Sequence, residues 1–305
     1  MLVFCLSAQG GVGTTVTAAN LAYHSSLTGV STCLVDLGFP SPAADLVFDI
    51  EPGLRHRLRD RGLNAYLYGR AAEPLGIDVW ANTERRSLDR LLGAGAMVLY
   101  SSAGEALIQI TDSEVSRFAD FLFRLEETFD VSFVDLGPGR SALIELALLS
   151  VAVPYLRSAR TRWLVFHRWS RYEVLSTAQY VFGDHGLVRT GIACGLDSAE
   201  LEASLEYVRV AAADLDAGIA ASLRPAQLAW QLEMDRDLER LASLHRIGRD
   251  VRLGSIPQEP VLLRREQLIT SRDVYAIGVA NQQTLYAYRH LASMLRFARF
   301  RDEER

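Results

Sequence analysis

The residues with the clearest chemical meaning are Ser7-Ala8-Gln9-Gly10-Gly11-Val12-Gly13-Thr14-Thr15, near the start of the chain. Glycines at 10, 11 and 13 allow backbone angles closed to other residues, so that successive N–H groups converge on one anion. An apolar run, Met1 to Leu6, precedes them, and Val16-Thr17-Ala18-Ala19-Asn20-Leu21-Ala22 follows with a helical pattern. Strand, glycine loop and helix N-terminus together form a phosphate site, because the helix dipole adds to the backbone donors. Thr15 supplies a hydroxyl of the kind that ligates Mg²⁺, and Asp36 and Asp135, each ending an apolar run, could hold the metal through water. In loops of this type a lysine stands just before that hydroxyl and reaches the β- and γ-phosphates. Here the position is Thr14. The chain contains no lysine at all, so its 32 basic side chains are all arginine.

Three arginines are candidates for the missing cation. Arg140 follows Asp135-Leu136-Gly137-Pro138-Gly139, and Arg168 and Arg171 flank the end of another apolar run. Ligands of doubly wound sheets lie at the C-terminal ends of the strands, where all three fall, and a guanidinium matches phosphate geometry. The alternative for each is a surface or partner-facing role. Asn20 and His24 lie on the helix after the loop. Asn20 is expected to bond a backbone group, and neither is assigned chemistry. The six histidines form no catalytic or metal-like grouping, and Trp163, Trp169 and Trp230 read as core or interface residues.

These elements must be positioned by a sheet. Apolar runs alternate with helical patterns, which predicts an α/β fold: a doubly wound, mainly parallel sheet with helices on both faces. Strands are expected at Leu2–Ser7, Ser31–Asp36, Ile77–Ala81, Met97–Tyr100, Val131–Asp135, Thr161–Phe166, Thr190–Cys194 and Val251–Ser255. Helices are expected at Thr15–Thr28, Ser87–Leu92, Asp112–Thr128, Ser141–Arg157, Arg171–Phe182, Ala199–Ala221, Pro225–Leu244 and Asn281–Phe300. No linker divides the chain, so residues 1–305 are expected to form one domain, with a helical segment at about 196–250. That segment is either an inserted helical hairpin offering a contact surface or ordinary helices covering one sheet edge, and the arginine-rich stretch with Arg55, Arg57, Arg59, Arg61 and Arg70 is either a solvated helix and loop or a partner surface.

Composition narrows the function classes. A net charge of −5 and pI near 5.7 argue against a general nucleic-acid binder, although a local arginine patch can act alone. Cys5, Cys33 and Cys194 sit in apolar contexts and read as buried, reduced thiols of a cytoplasmic protein. There is no secretory leader pattern and no apolar stretch near the ~20 residues that span a bilayer. The tail from Tyr286 to Arg305 alternates apolar and basic residues, but Asp302-Glu303-Glu304 oppose anionic lipid, so membrane binding is not expected.

The loop resembles the deviant phosphate loop of the ParA/MinD ATPases, Lys-Gly-Gly-Val-Gly-Lys-Thr-Thr, matching at Gly10, Gly11, Val12, Gly13 and Thr15. Thr32-Cys33-Leu34-Val35-Asp36-Leu37-Gly38 is similar to the family's second strand and Asp-x-Asp switch, with Gly38 in place of the second aspartate. Val131 to Pro138 is similar to its Asp-x-x-Pro strand, and Leu253-Gly254-Ser255-Ile256-Pro257 to the strand and proline turn beside the nucleotide base. The resemblance implies ATP and Mg²⁺ as ligands, Gly10 to Thr15 and Pro257 as nucleotide contacts, and a homodimer serving a protein partner or cargo. It also implies that residue 9 reaches the partner protomer's nucleotide, where Gln9 brings no charge. Loss of the loop lysine alone weakens phosphate binding by about 1.5–3 kcal/mol, roughly ten- to a hundred-fold. Hydrolysis suffers more, because it depends on cations around the γ-phosphate. The expectation is therefore a degenerate member acting as a scaffold or regulatory module. The alternatives are a slow ATPase that positions a cargo, nucleoid or division component, and a DNA-binding positioning factor.

Overall fold

The computed structural model describes all residues except 39–42, 86–87, 89–91, 103–109, 213–222 and 298–305. Its centre is a sheet of strands β1 (Leu2–Ser7), β2 (Thr32–Asp36), β3 (Gly76–Asp78), β4 (Met97–Tyr100), β5 (Val131–Pro138), β6 (Thr161–Arg168), β7 (Leu205–Ala212) and β8 (Arg252–Pro257). The order is β3-β4-β2-β5-β1-β6-β7-β8. All neighbouring strands run parallel except β3, which is antiparallel to β4.

The two faces follow from the period-2 geometry of a strand. In β1, Leu2, Phe4 and Leu6 enter one core layer, while Val3 and Cys5 enter the other. Both layers are apolar, so the central strands read as continuous apolar runs rather than alternating ones. The first layer is closed by the helices Asp112–Thr128, Ala142–Val151 and Arg171–Phe182. The second is closed by Thr14–Ser26 and by Gln282–Phe297, which buries Leu285, Tyr288, Leu291 and Leu295.

The doubly wound sheet is as the sequence predicts, but two elements change places. Thr190–Cys194 is not a strand: it lies at the end of the helix Leu187–Ala193. There Gly191 lets helices meet, since a Cβ on it would stand 2.4 Å from Leu201 Cδ2. The strand in this part of the sheet is β7, inside the region expected to be helical from Ala199 to Ala221 and within the helical segment at 196–250. Asp197 caps a short helix, Ser198–Ala203, which stops at Ser204. The chain then turns extended, because Val208 packs to one face and Leu205 and Tyr207 to the other. The sequence predicts a helix here, and burial in the sheet overrides that local preference.

Smaller differences have local causes. Asp78 accepts hydrogen bonds from the N–H groups of Trp80 and Ala81, so the strand predicted to reach Ala81 ends there and a helical turn, Val79–Asn82, begins. The helix from Ser141 ends at Val151, ahead of Pro154. The helix predicted at Ser87–Leu92 lies mostly outside the described residues. Cys5 and Cys33 are buried in strands, whereas Cys194 is half-buried at a helix end. Arg57, Arg59 and Arg61 are exposed on the helix Pro52–Arg61. No described helix is long and apolar enough to cross a membrane.

Candidate phosphate site

The loop of residues 8–13 leaves β1 and turns directly into the helix Thr14–Ser26. Gly11 and Gly13 hold φ of +76° and +92°, the left-handed region that disfavours residues with a Cβ. Gly13 is the residue preceding the helix, and no side chain caps the first turn. The free N–H groups of that turn, at the positive end of a 13-residue helix, are what an anion needs. Thr14, in the place of the usual ammonium, is buried at 7% exposure. Val210 of β7 packs close by: its Cγ1 would lie 3.8 Å from a Cβ on Gly13.

Asp36 and Asp135 are neighbours in register across β2 and β5, and both are fully buried. They are nevertheless engaged very differently. Asp36 accepts three backbone hydrogen bonds, from Gly38 N–H to Oδ1 at 2.8 Å and from Ala43 and Ala44 N–H to Oδ2 at 2.9 and 2.8 Å. Asp135 accepts one, from Gly137 N–H at 3.0 Å, and its Oδ2 is buried without a partner. Burial, and next the charge of Asp36, push the Asp135 carboxyl up to about 7, opposed by the Thr15 hydroxyl and the Gly137 N–H. Burial also raises Asp36, against the pull of its three backbone donors. The Thr15 hydroxyl is thus close enough to favour the charged form of Asp135, yet Oδ2 remains unsatisfied. Thr15 and Asp135 suit Mg²⁺ as a donor set. Asp36, expected to share the metal, spends its carboxylate on the chain that follows it.

The candidate arginines separate. Arg168 Nη2 donates to Gly11 O at 2.6 Å, on the loop itself. Arg140 instead donates to Gln179 O at 3.2 Å, on the helix Arg171–Phe182, and is exposed. Arg171 is exposed on the first turn of that helix, and its side chain makes no hydrogen bond or ion pair among the described residues. Gln9 donates from Nε2 to Ser176 Oγ at 3.0 Å, again on that helix, so its amide is engaged within the chain. Pro257 ends β8 beside Ala212 of β7, and Gln258 N–H donates to Ala212 O at 3.1 Å. Through β7 it belongs to the same end of the sheet as the loop.

Asn20 holds backbone, as expected: its amide donates to Val16 O and Gln267 O and accepts from Ile269 N–H. His24 Nε2 pairs with Ile269 O at 3.0 Å, and burial lowers its pKa to about 3, so the ring is neutral. Among the described residues no three His, Cys, Asp or Glu side chains gather as a metal cluster.

Sequence reasoning missed several residues near the loop. Glu173 lies beside Arg168, whose charge opposes the rise that burial causes in its pKa, and its Oε2 is buried and unpartnered. Trp169 donates from Nε1 to Asp235 Oδ1 at 2.5 Å. Arg209, 5% exposed, has its guanidinium carbon 3.2 Å from the centre of the Trp169 six- or five-membered ring system and pairs with Glu239 at 2.8 Å. A buried arginine on a strand is the available signal, but the sequence around Arg209 predicts a helix.

No protein-family model matches the chain, and no curated protein matches it by sequence. The fold is nevertheless that of the ParA and MinD ATPases. A chain of the MinC:MinD cell division protein complex of Aquifex aeolicus superposes with a TM-score of 0.58 at 14% identity, covering 96% of this chain and 95% of that one. A plasmid partition protein from Borrelia burgdorferi bound to AMPPNP gives 0.60 at 13% identity, covering 97% and 98%. The septum site-determining protein MinD from Pyrococcus horikoshii, complexed with Mg-ADP, gives 0.52 at 15%, covering 96% and 95%.

Proposed function

We propose that this chain is a ParA/MinD-like protein with a degenerate phosphate loop, acting as a dimerising scaffold or regulatory module that binds nucleotide weakly and hydrolyses it slowly or not at all. One observation carries the reading: the backbone cradle is intact while the ammonium is replaced by the buried Thr14. The rest of the site agrees. Asp36 is consumed by three backbone donors, Gly38 offers no second carboxylate, and Gln9 brings a neutral amide where the resemblance implies a cross-protomer lysine. Nucleotide, if bound, would be held by Gly10 to Thr15 with Pro257 beside the base, and Mg²⁺ by Thr15 and Asp135. The metal would supply charge neutralisation of the phosphates. The similar folds solved with AMPPNP and Mg-ADP support this ligand class, and the MinC:MinD complex supports a protein partner.

A titration of ATP and Mg²⁺ by calorimetry, with phosphate release and sedimentation on the same sample, tests the proposal. High-micromolar or weaker binding with negligible turnover is expected. Micromolar binding with steady turnover that Thr15→Ala abolishes would establish the second reading, a slow ATPase. The observation favouring that alternative is Arg168, whose guanidinium already rests on the loop and could serve as the missing cation.

A further inference from the structure

Arg168 and Trp169 connect two parts of the molecule that otherwise meet little. Arg168 ends β6 and holds Gly11 O. Trp169, one residue on, is gripped by the helix Pro225–Leu244. Asp235 accepts from its indole N–H, and Glu239, one turn later on the same helix face, holds the Arg209 guanidinium that stacks on the ring. Arg252 of β8 adds a second donor to the same Glu239 oxygen at 3.1 Å.

The apolar anchorage of that helix is confined to its C-terminal end. There Ala242 is buried and Leu238 and Leu241 are half-buried against the core, whereas Trp230 and Leu232, further towards its start, are 60% and 42% exposed. Ahead of Leu238, its approach to the sheet therefore rests on the polar grip around Trp169. Elements with few buried apolar contacts open at low free energy. At the other end of the connection, a planar peptide links the Gly11 carbonyl to the Val12 N–H and points the two in opposite directions. A guanidinium fixed on Gly11 O therefore fixes where the Val12 N–H points.

We propose that Trp169 is a positioning residue through which the helix Pro225–Leu244 sets the phosphate loop, by holding Arg168 on Gly11. Lifting the helix frees Arg168 and loosens the loop. Conversely, an anion that draws Arg168 from Gly11 loosens the helix, since coupling of this kind is reciprocal. The ligand half of the proposal rests on the nucleotide-binding reading above, whereas the ligand-free half does not.

The test is amide hydrogen exchange on the full chain, with wild type, Arg168→Ala, Trp169→Phe, Asp235→Ala and the Arg168→Ala/Trp169→Phe pair. Trp169→Phe keeps a ring and removes the indole N–H, so folding should survive; melting curves check it. Without ligand, all three single variants should speed exchange in the peptide covering residues 10–15 by about tenfold, the worth of one hydrogen bond. The double variant should be no faster there than Arg168→Ala alone. If Trp169→Phe and Asp235→Ala speed exchange only in residues 225–244, the grip merely docks the helix and the proposal fails. With Mg-ATP, wild type should show faster exchange across 225–244, and Trp169→Phe should lose that response. A wild type that binds Mg-ATP with no change in the helix also overturns the coupling. A wild type that binds none refutes the nucleotide reading instead, and the ligand-free comparison still decides whether Trp169 positions the loop.

Discussion

Asp36 and Asp135 stand side by side in register, in neighbouring strands, equally buried, and do opposite things. Asp36 is surrounded by backbone donors that fold the segment after β2 around it. Asp135 keeps one oxygen unsatisfied next to Thr15. A carboxylate at a strand end beside the glycine loop therefore does not by its position alone keep lone pairs for a ligand. What it accepts decides how much of it is left over from building the fold. The same contrast holds on a larger scale between the loop, complete in backbone and short of cations, and the β6–β7 flank, where Arg168, Arg209 and Arg252 gather.

The largest effect should come from breaking the structural partner. Asp36→Ala strands three N–H groups, that of Ala44 buried and those of Gly38 and Ala43 part-buried, and should destabilise the fold by about 3 kcal/mol, given about 1–3 kcal/mol for each unsatisfied buried group. Urea unfolding would measure it, and a loss below about 1 kcal/mol would show that the capping is dispensable. Arg209→Ala should cost about 3 kcal/mol, since it leaves Glu239 without its most buried partner. Arg140→Ala, on the surface, should leave the melting temperature unchanged.

Thr14→Lys returns the missing charge to the cradle and should tighten Mg-ATP binding roughly ten- to a hundred-fold, read by calorimetry. No gain would mean that the loop has lost its shape as well as its charge. The subtlest prediction concerns pH. The folded-state pKa of Asp135 is raised from 3.8 to about 7, so its stabilising contribution is fully present below pH 3.8 and is lost as pH rises towards 7. Asp135→Asn should therefore gain stability relative to wild type across that interval and hold the gain above it. A flat difference between pH 4 and 7 would show that Asp135 stays ionised throughout.

Much of this was legible in the chain. Gly11 and Gly13 occur where only a left-handed turn into a helix makes sense of them, and the apolar runs of β1, β2, β5 and β6 announce buried parallel strands. β7 was not legible, because Leu205 to Ala212 carries Glu206 and Arg209 within a run that also suits a helix. Their acceptability in a strand depends on partners, Arg162 for Glu206 and Glu239 for Arg209, that lie far away in sequence. Arg140, Arg168 and Arg171 likewise looked equivalent as strand-end arginines, and only one touches the loop.

The sequence by itself determined the cradle: three glycines, a following helix and the absence of any lysine are local facts, set by backbone sterics and by composition. Tertiary structure alone decided which arginine reaches the cradle, which aspartate keeps a free oxygen and which helix grips Trp169. Hydrogen bonds and burial depend on what lies within about 3 Å in space, and these partners are brought there by a sheet whose adjacent strands are far apart along the chain.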